Sequence, residues 1–109
     1  MFLFDRALYN GTLLNENSLK EAYAGYSNEK PGKRNYGLGW RTLDDDVHGK
    51  VIYHHGWWHG YNSLFYRRPS DQLLVVMLCN HNNKSTYHIQ DILAILDNDS
   101  AGPELEKEE

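Results

Sequence analysis

Three histidines and two tryptophans surround a pair of glycines near the middle of the chain. Residues 51–62 read Val-Ile-Tyr-His-His-Gly-Trp-Trp-His-Gly-Tyr-Asn, with an apolar strand-like run on each side. An imidazole can exchange a proton near neutral pH, and an indole ring can stack on a ligand. A glycine inside a strand pattern marks a bulge or the close approach of a ligand or another backbone. We therefore interpret this segment as the edge of a binding cleft.

Two other interpretations of the same residues remain open. The histidines and tryptophans can be ordinary side chains of a sheet surface, core or interface. A zinc site built from the histidines between 48 and 59 is the second alternative. Adjacent residues of a strand point to opposite faces, so His54 and His55 cannot readily bind the same ion. We expect no metal and no cofactor.

Length and charge limit the classes of function. A chain of 109 residues makes one modest domain, and its net charge is −4. Residues 97–109 hold six acids and one lysine, a net of −5, which leaves +1 on residues 1–96. The nearly neutral body argues against nucleic-acid binding. No apolar run approaches the roughly 20 residues of a membrane span. We predict one domain over 1–96 and an acidic, mobile tail over 97–109.

The helical patterns lie at the two ends of the domain. Phe2, Leu3, Ala7 and Leu8 form an apolar stripe that ends at Asn10-Gly11. A second helix is predicted from about 16 to 23 with Asn15 as its cap, and a third from about 85 to 96.

Strand patterns fill the middle of the chain, at 36–42, 50–57, 61–68 and 72–80. Their short connections favour antiparallel neighbours, because a parallel pair needs a crossover of about a dozen residues. The last strand is apolar throughout and predicts that both of its faces are covered. The expected fold class is α+β, with an antiparallel sheet of about four strands, helices before it and one helix after it.

Taken together, these stretches resemble the C-terminal third of the serine β-lactamase and penicillin-binding-protein-like family. The similarity is to the branch of class C β-lactamases, D-alanyl-D-alanine carboxypeptidases and esterases. His54-His55-Gly56 resembles the third motif of that family, usually Lys-Thr-Gly, for which His-x-Gly is a common variant in this branch. Further similarity in the same order as in the family lies at Phe4–Leu14, Tyr36–Trp40, Gly60–Ser63 and Val75–Asn80.

The resemblance implies roles for four residues of the third motif. His54 would supply a cation or proton donor near the substrate carboxylate and the catalytic hydroxyls. His55 stands where a Thr or Ser usually hydrogen-bonds substrate, which leaves the substrate class open. Gly56 would let the substrate backbone lie against the strand, and the N–H of Trp57 would contribute to the oxyanion hole.

The nucleophile of that family is a serine in a Ser-x-x-Lys motif on a helix, aided by a second motif such as Tyr-x-Asn. Ser27-Asn28-Glu29-Lys30 matches the spacing, but Pro31-Gly32 follows at once and blocks a helix. Tyr26-Ser27-Asn28 matches the second motif and shares Ser27 with the first. Two motifs that must approach from separate segments cannot share a residue, so we interpret both matches as chance.

We therefore expect a C-terminal fragment of a serine hydrolase that is inactive alone, whose parent cleaves a small-molecule amide or ester through an acyl-serine. The alternative is a non-catalytic binding module that forms homo-oligomers through an exposed sheet face. Members of the family are commonly periplasmic or exported, and the sequence itself leaves the compartment open.

Overall fold

The computed structural model describes residues 1–27, 33–81, 86 and 88–98. These form a five-stranded sheet in the order β1-β2-β3-β4-β5, with two helices before it and one after. The elements are α1 (Phe2–Tyr9), α2 (Glu16–Tyr23), β1 (Arg34–Tyr36), β2 (Arg41–Asp45), β3 (Gly49–Trp58), β4 (Tyr61–Arg68), β5 (Leu73–Cys79) and α3 (Gln90–Asp97). The predicted α+β class is confirmed. Of the predicted acidic tail, Asp97 ends α3 and Asn98 caps it, and residues 99–109 lie outside the described residues.

The chain divides into two compact units. The first contains residues 1–54 and 65–76, and the second contains residues 55–64 and the chain from Met77 onward. Strands β3, β4 and β5 each contribute residues to both units.

The predicted strand at 36–42 is two strands, which raises the number from about four to five. β1 ends at Tyr36 and β2 begins at Arg41, with Tyr36 paired to Arg41 in antiparallel register. Between them the Gly37 N–H donates to the Trp40 carbonyl at 2.7 Å, and Gly39 has a φ of +74°. A left-handed residue inside a four-residue connection makes a turn, which the apolar pattern alone did not reveal.

Packing against α2 requires glycine at position 37. A Cβ built there would lie 2.1 Å from the carbonyl oxygen of Ala22. The adjacent Leu38 N–H donates to the same oxygen at 2.8 Å, which satisfies a carbonyl at the end of the helix. At the other end of α2, the Asn15 side chain accepts from the Ser18 N–H at 2.8 Å, as the predicted cap.

A buried ion pair anchors α1 in the first unit. Asp5 is fully buried, and Arg67 on β4 is only 1% exposed. The Arg67 Nε donates to Asp5 Oδ1 at 2.6 Å, and its Nη1 donates to the Tyr23 hydroxyl. The interpretation of the apolar stripe was therefore partly wrong: Leu8 is buried, but Phe2 and Leu3 are exposed, and a carboxylate occupies the inner face.

From the sequence alone, Arg67 and Arg68 before Pro69 look like the solvated end of a strand, yet both are buried. Arg68 donates to the carboxylate of Asp71 through Nε at 3.0 Å and Nη2 at 2.6 Å. Each buried guanidinium has a carboxylate partner, which offsets the free-energy cost of removing its charge from water.

The expectation that both faces of the last strand are covered was wrong. Every residue of β5 is at least partly exposed, and Leu78 is 68% exposed. β5 ends the strand order and has β4 as its neighbour in the sheet, so an apolar strand occupies an edge.

The last helix begins later than predicted, at Gln90 instead of about 85, and Ser85 lies outside the described residues. Leu93 on its inner face is buried, as is Ile89 just before the first turn. Leu96, near the end of the same helix, is exposed.

Candidate active-site wall

His54 is the last residue of the first unit on β3, and its imidazole is half-buried. Its Nε2 lies 3.2 Å from the hydroxyl of Tyr36, and the two rings meet edge to face with centroids 6.2 Å apart. The Arg41 guanidinium lies over the Tyr36 ring at 5.6 Å. A phenol hydroxyl can donate or accept, so this contact suits either protonation state of the imidazole.

A two-residue turn at His59-Gly60 joins β3 to β4 and fixes their register in the second unit. Both turn residues have positive φ, 43° and 87°, as in a type I′ turn. The flanking residues Trp58 and Tyr61 are therefore directly opposite each other. Counting back from this pair places Gly56 opposite Ser63, on the same face of the hairpin.

Side-chain packing agrees with this register and explains the glycine at position 56. A Cβ added to Gly56 would lie 2.4 Å from Ser63 Oγ. The hydroxyl of Ser63 thus occupies the space above Gly56, and only glycine at position 56 allows this close approach across the hairpin.

His55 points to the opposite face and is 2% exposed. Its Nε2 lies 3.2 Å from the carbonyl oxygen of Thr86, in the same unit. A carbonyl oxygen only accepts, so Nε2 carries the hydrogen in this contact. The side chain at position 55 is therefore committed to an interior hydrogen bond.

The backbone N–H of Trp57 faces away from β4. Residues that flank a two-residue turn exchange backbone hydrogen bonds, and these pairs alternate along an antiparallel ladder. Trp58 and Gly56 therefore direct their N–H groups toward β4, and Trp57 directs its own toward the other edge of β3. Among the described residues, the register between β2 and β3 runs from Asp45↔Gly49 to Arg41↔Tyr53 and ends there.

The candidate nucleophile from the sequence, Ser27, is not on a helix. α2 ends at Tyr23, and the Ser27 N–H donates to the Asn35 side chain at 2.8 Å in an irregular segment. Its would-be partner Lys30 lies outside the described residues, as does Asn28.

Sequence reasoning missed the partners of the third-motif residues. No pattern linked Tyr36 to His54, because that contact depends on where β1 ends. The pairing of Gly56 with Ser63, in contrast, was within reach of the sequence. His59-Gly60 between two strand patterns predicts a two-residue hairpin, and the hairpin fixes which residues are opposite.

None of the helices in the described part of the chain is long and apolar enough to cross a membrane.

Comparison with known proteins identifies the family. The model of the β-lactamase family matches residues 2–99. Penicillin-binding protein 4* of Bacillus subtilis (strain 168) is 25% identical over 87 residues, which cover 80% of this chain and 19% of the relative. The chain thus spans about a fifth of the length of that curated relative. No solved structure gives a significant match. Because the match covers nearly the whole chain, the chain belongs to the β-lactamase family, which is of the serine-hydrolase and penicillin-binding-protein type.

Proposed function

We propose that this chain supplies one wall of a serine hydrolase active site, in which a small-molecule amide or ester is cleaved through an acyl-serine. The observation that carries the proposal is the two-residue turn at His59-Gly60, where both residues have positive φ. Its register directs the Trp57 N–H away from β4, and this N–H is the proposed donor to an oxyanion. Pre-oriented backbone N–H groups stabilise the negative charge that develops on a carbonyl oxygen during acyl transfer.

His54 provides the proton donor or cation of this wall. Its imidazole is half-buried, and the Tyr36 hydroxyl holds Nε2 at 3.2 Å. In this position the imidazole can interact with a substrate carboxylate when protonated and exchange a proton when neutral. Gly56 is the position against which the substrate backbone would lie, next to the Ser63 hydroxyl.

His55 acts as a positioning residue and does not contact substrate. Its burial and its hydrogen bond to the Thr86 carbonyl support this role. The bond ties the middle of the third motif to the interior of the second unit, and the strand that carries Gly56 and Trp57 is thereby held in place.

The reactive serine comes from a segment outside residues 1–109, and the chain alone is inactive. Three observations support this part of the proposal. Ser27 lies in an irregular segment without the helix that a Ser-x-x-Lys pair requires. The chain matches a fifth of the Bacillus subtilis relative. The apolar side chains of β5 are partly exposed and the Phe2-Leu3 part of α1 is exposed, as expected of surfaces that meet further protein.

Two activity measurements test the proposal. The purified chain, incubated with nitrocefin and with p-nitrophenyl acetate, should give rates equal to those of buffer. Turnover that Ser27→Ala abolishes would contradict the assignment of the nucleophile to another segment. The coding sequence upstream of Met1 gives an independent check, because it should encode Ser-x-x-Lys in a helical pattern followed by Tyr-x-Asn.

The wall itself is tested by transplantation. The matched segment of the Bacillus subtilis relative is replaced with residues 2–96 of this chain, and folding is verified by circular dichroism. We expect the chimera to hydrolyse ester substrate and His54→Ala to lower kcat/KM by about 100-fold, the lower range for proton transfer by a positioned side chain. His88→Ala, at an exposed histidine outside the motif, is the matched control and should leave the rate unchanged. A folded, active chimera that is indifferent to His54→Ala would contradict the proposed role.

The exposed β5 favours a second candidate, a non-catalytic module that joins copies of itself. Its seven residues carry no charge and lie at the end of the strand order, where unpaired backbone groups can bind another strand. Light scattering at high protein concentration separates the candidates. A dimer that Val76→Lys dissociates would support the module, and a monomer at all concentrations would count against it.

A further inference from the structure

A cavity of about 500 Å³ lies in the first unit, bounded by α1, α2, the connection between these helices and the end of β4. Most of its lining is apolar, with contributions from Leu8, Leu14, Leu19 and Pro69. None of the described residues that line it belongs to the third motif. Cavities of this size with apolar walls and a few polar groups are the usual binding sites of small molecules.

A tyrosine in the wall of this cavity has a hydroxyl that lacks a hydrogen bond. Tyr9 lines the cavity, and its hydroxyl is buried without a partner among the described residues. The Arg67 guanidinium lies over the same ring, 4.6 Å from the ring centroid, and helps to hold the ring in place. A buried hydroxyl without a partner is destabilising, so its presence indicates a partner from outside these residues.

Arg67 and Tyr23 also line the cavity, and both are hydrogen-bond donors. Arg67 donates to the Asp5 carboxylate and to the Tyr23 hydroxyl. Because the Tyr23 oxygen accepts that bond, its own hydrogen is left to donate. The side-chain oxygen of Asn10, another lining residue, already accepts from the Thr12 N–H at 3.1 Å. The buried part of the cavity therefore offers donors, and the group that complements it is an acceptor.

The electrostatics of the cavity favour an uncharged ligand. Burial raises the pKa of Tyr9 and of Tyr23, and the attraction of the Arg67 guanidinium offsets this rise only in part. A negative charge is therefore disfavoured at these hydroxyls. The carboxylate of Glu16, which is exposed in the same lining, would repel an anion further. A cation would in turn be repelled by the buried guanidinium of Arg67.

We propose that this cavity binds a neutral molecule with an apolar body and one carbonyl group, whose oxygen accepts a hydrogen bond from the Tyr9 hydroxyl. A ketone or an ester is the ligand class, because its carbonyl is an acceptor and brings no N–H or O–H donor of its own. The apolar body packs against the leucines of the lining, and Leu14, which is 42% exposed, becomes covered when the cavity is filled. The site does not rest on the proposed function, because it uses no residue of the third motif.

Binding of two probes to the full 109-residue chain tests the site. Acetophenone and ethylbenzene differ by the carbonyl oxygen alone, and each is titrated separately into the ¹⁵N-labelled chain. We expect acetophenone to bind about fivefold more tightly, which is the order of affinity that one net hydrogen bond contributes. Both probes should shift the amide resonances of Gly11, Leu14 and Leu19, which line the cavity.

Three variants make the result specific. Tyr9→Phe removes the proposed donor and should reduce the preference for acetophenone to less than about twofold. The same change should raise the free energy of unfolding of the unliganded chain, so misfolding cannot explain the lost preference. Leu14→Ala shortens the apolar wall and should weaken both probes by the same factor, about threefold. Tyr61→Phe is the matched control, since it removes an exposed hydroxyl in the second unit and should change neither affinity.

Several results would overturn the site. Equal binding of acetophenone and ethylbenzene would mean that the cavity has no polar subsite, and a preference that survives Tyr9→Phe would mean that another group is the donor. Tighter binding of benzoate than of acetophenone would show an anion site instead of a neutral one. Amide shifts that leave Gly11, Leu14 and Leu19 unmoved would place the probe outside the cavity.

Discussion

The ion pair between Asp5 and Arg67 gives the sharpest test of how the first unit is held together. Asp5 is fully buried and Arg67 is 1% exposed, and they meet at 2.6 Å. Asp5→Asn removes the compensating charge but keeps the shape of the side chain. The Arg67 guanidinium would then be buried next to a neutral amide, with the Tyr23 hydroxyl and the backbone carbonyl of residue 5 as further acceptors.

Loss of one member of a buried ion pair costs about 3–5 kcal/mol, because the other charge stays desolvated. A domain of this size has a free energy of unfolding of roughly 5–15 kcal/mol, so the loss removes a large share of it. With a urea m-value of roughly 2 kcal/mol per molar, the midpoint of unfolding should fall by about 2 M. Arg67→Met should cost a similar amount.

Urea unfolding followed by circular dichroism measures these changes. The double variant Asp5→Leu/Arg67→Met, in which both charges are replaced by apolar groups, should lose less than the sum of the single changes. Asp46→Asn is the matched control, since its ion pair with Lys33 is mostly exposed and should be worth no more than about 1 kcal/mol. If Asp5→Asn cost no more than this control, the assignment of α1's anchor to the ion pair would be wrong.

Four further predictions concern the same unit. The Tyr9 hydroxyl is buried without a hydrogen-bond partner among the described residues, so Tyr9→Phe should raise the free energy of unfolding by about 1 kcal/mol. Tyr23→Phe removes a hydrogen-bond partner of the buried Arg67 guanidinium and should lower the free energy of unfolding by about 1–2 kcal/mol. Urea titrations of the Tyr9→Phe and Tyr23→Phe variants measure both changes. Hydrogen bonds from Arg68 lower the pKa of Asp71, so their stabilisation is present above about pH 4 and is lost as the pH falls through the lowered pKa. Asp71→Asn should therefore cost on the order of 1 kcal/mol at pH 7, given that Asp71 is half-exposed, and the difference from wild type should vanish in acid. Gly37→Ala places a Cβ 2.1 Å from a backbone carbonyl and should cost about 1–3 kcal/mol, visible as a lower Tm.

The elements that sequence patterns located well are those with strong local signals. α2 was predicted with its bounds and its Asn15 cap, because capping depends on residues close in the chain. The strand at 61–68 and the two-residue link before it were likewise found, since Gly60 and the flanking apolar alternation are local.

Long-range pairing limited the rest of the prediction. Arg67 looked like a solvated strand end because its partner Asp5 is 62 residues away in the chain. The exposure of β5 depends on its place in the strand order, which an apolar run does not specify. For the candidate site, the sequence indicated His54–Trp57, but the contact of His54 with Tyr36, 18 residues earlier, depends on where β1 ends.

Amide hydrogen exchange along residues 54–58 tests the central claim most directly, because an N–H available to an oxyanion cannot be bound within the sheet. Residue-resolved exchange of the ¹⁵N-labelled chain compares the N–H of Trp57 with those of Gly56 and Trp58. We predict fast exchange at Trp57 and protection by at least about tenfold at Gly56 and Trp58, whose N–H groups face β4. Equal protection of all three would mean that the edge of β3 is closed at Trp57, and the proposed oxyanion donor would then be ruled out.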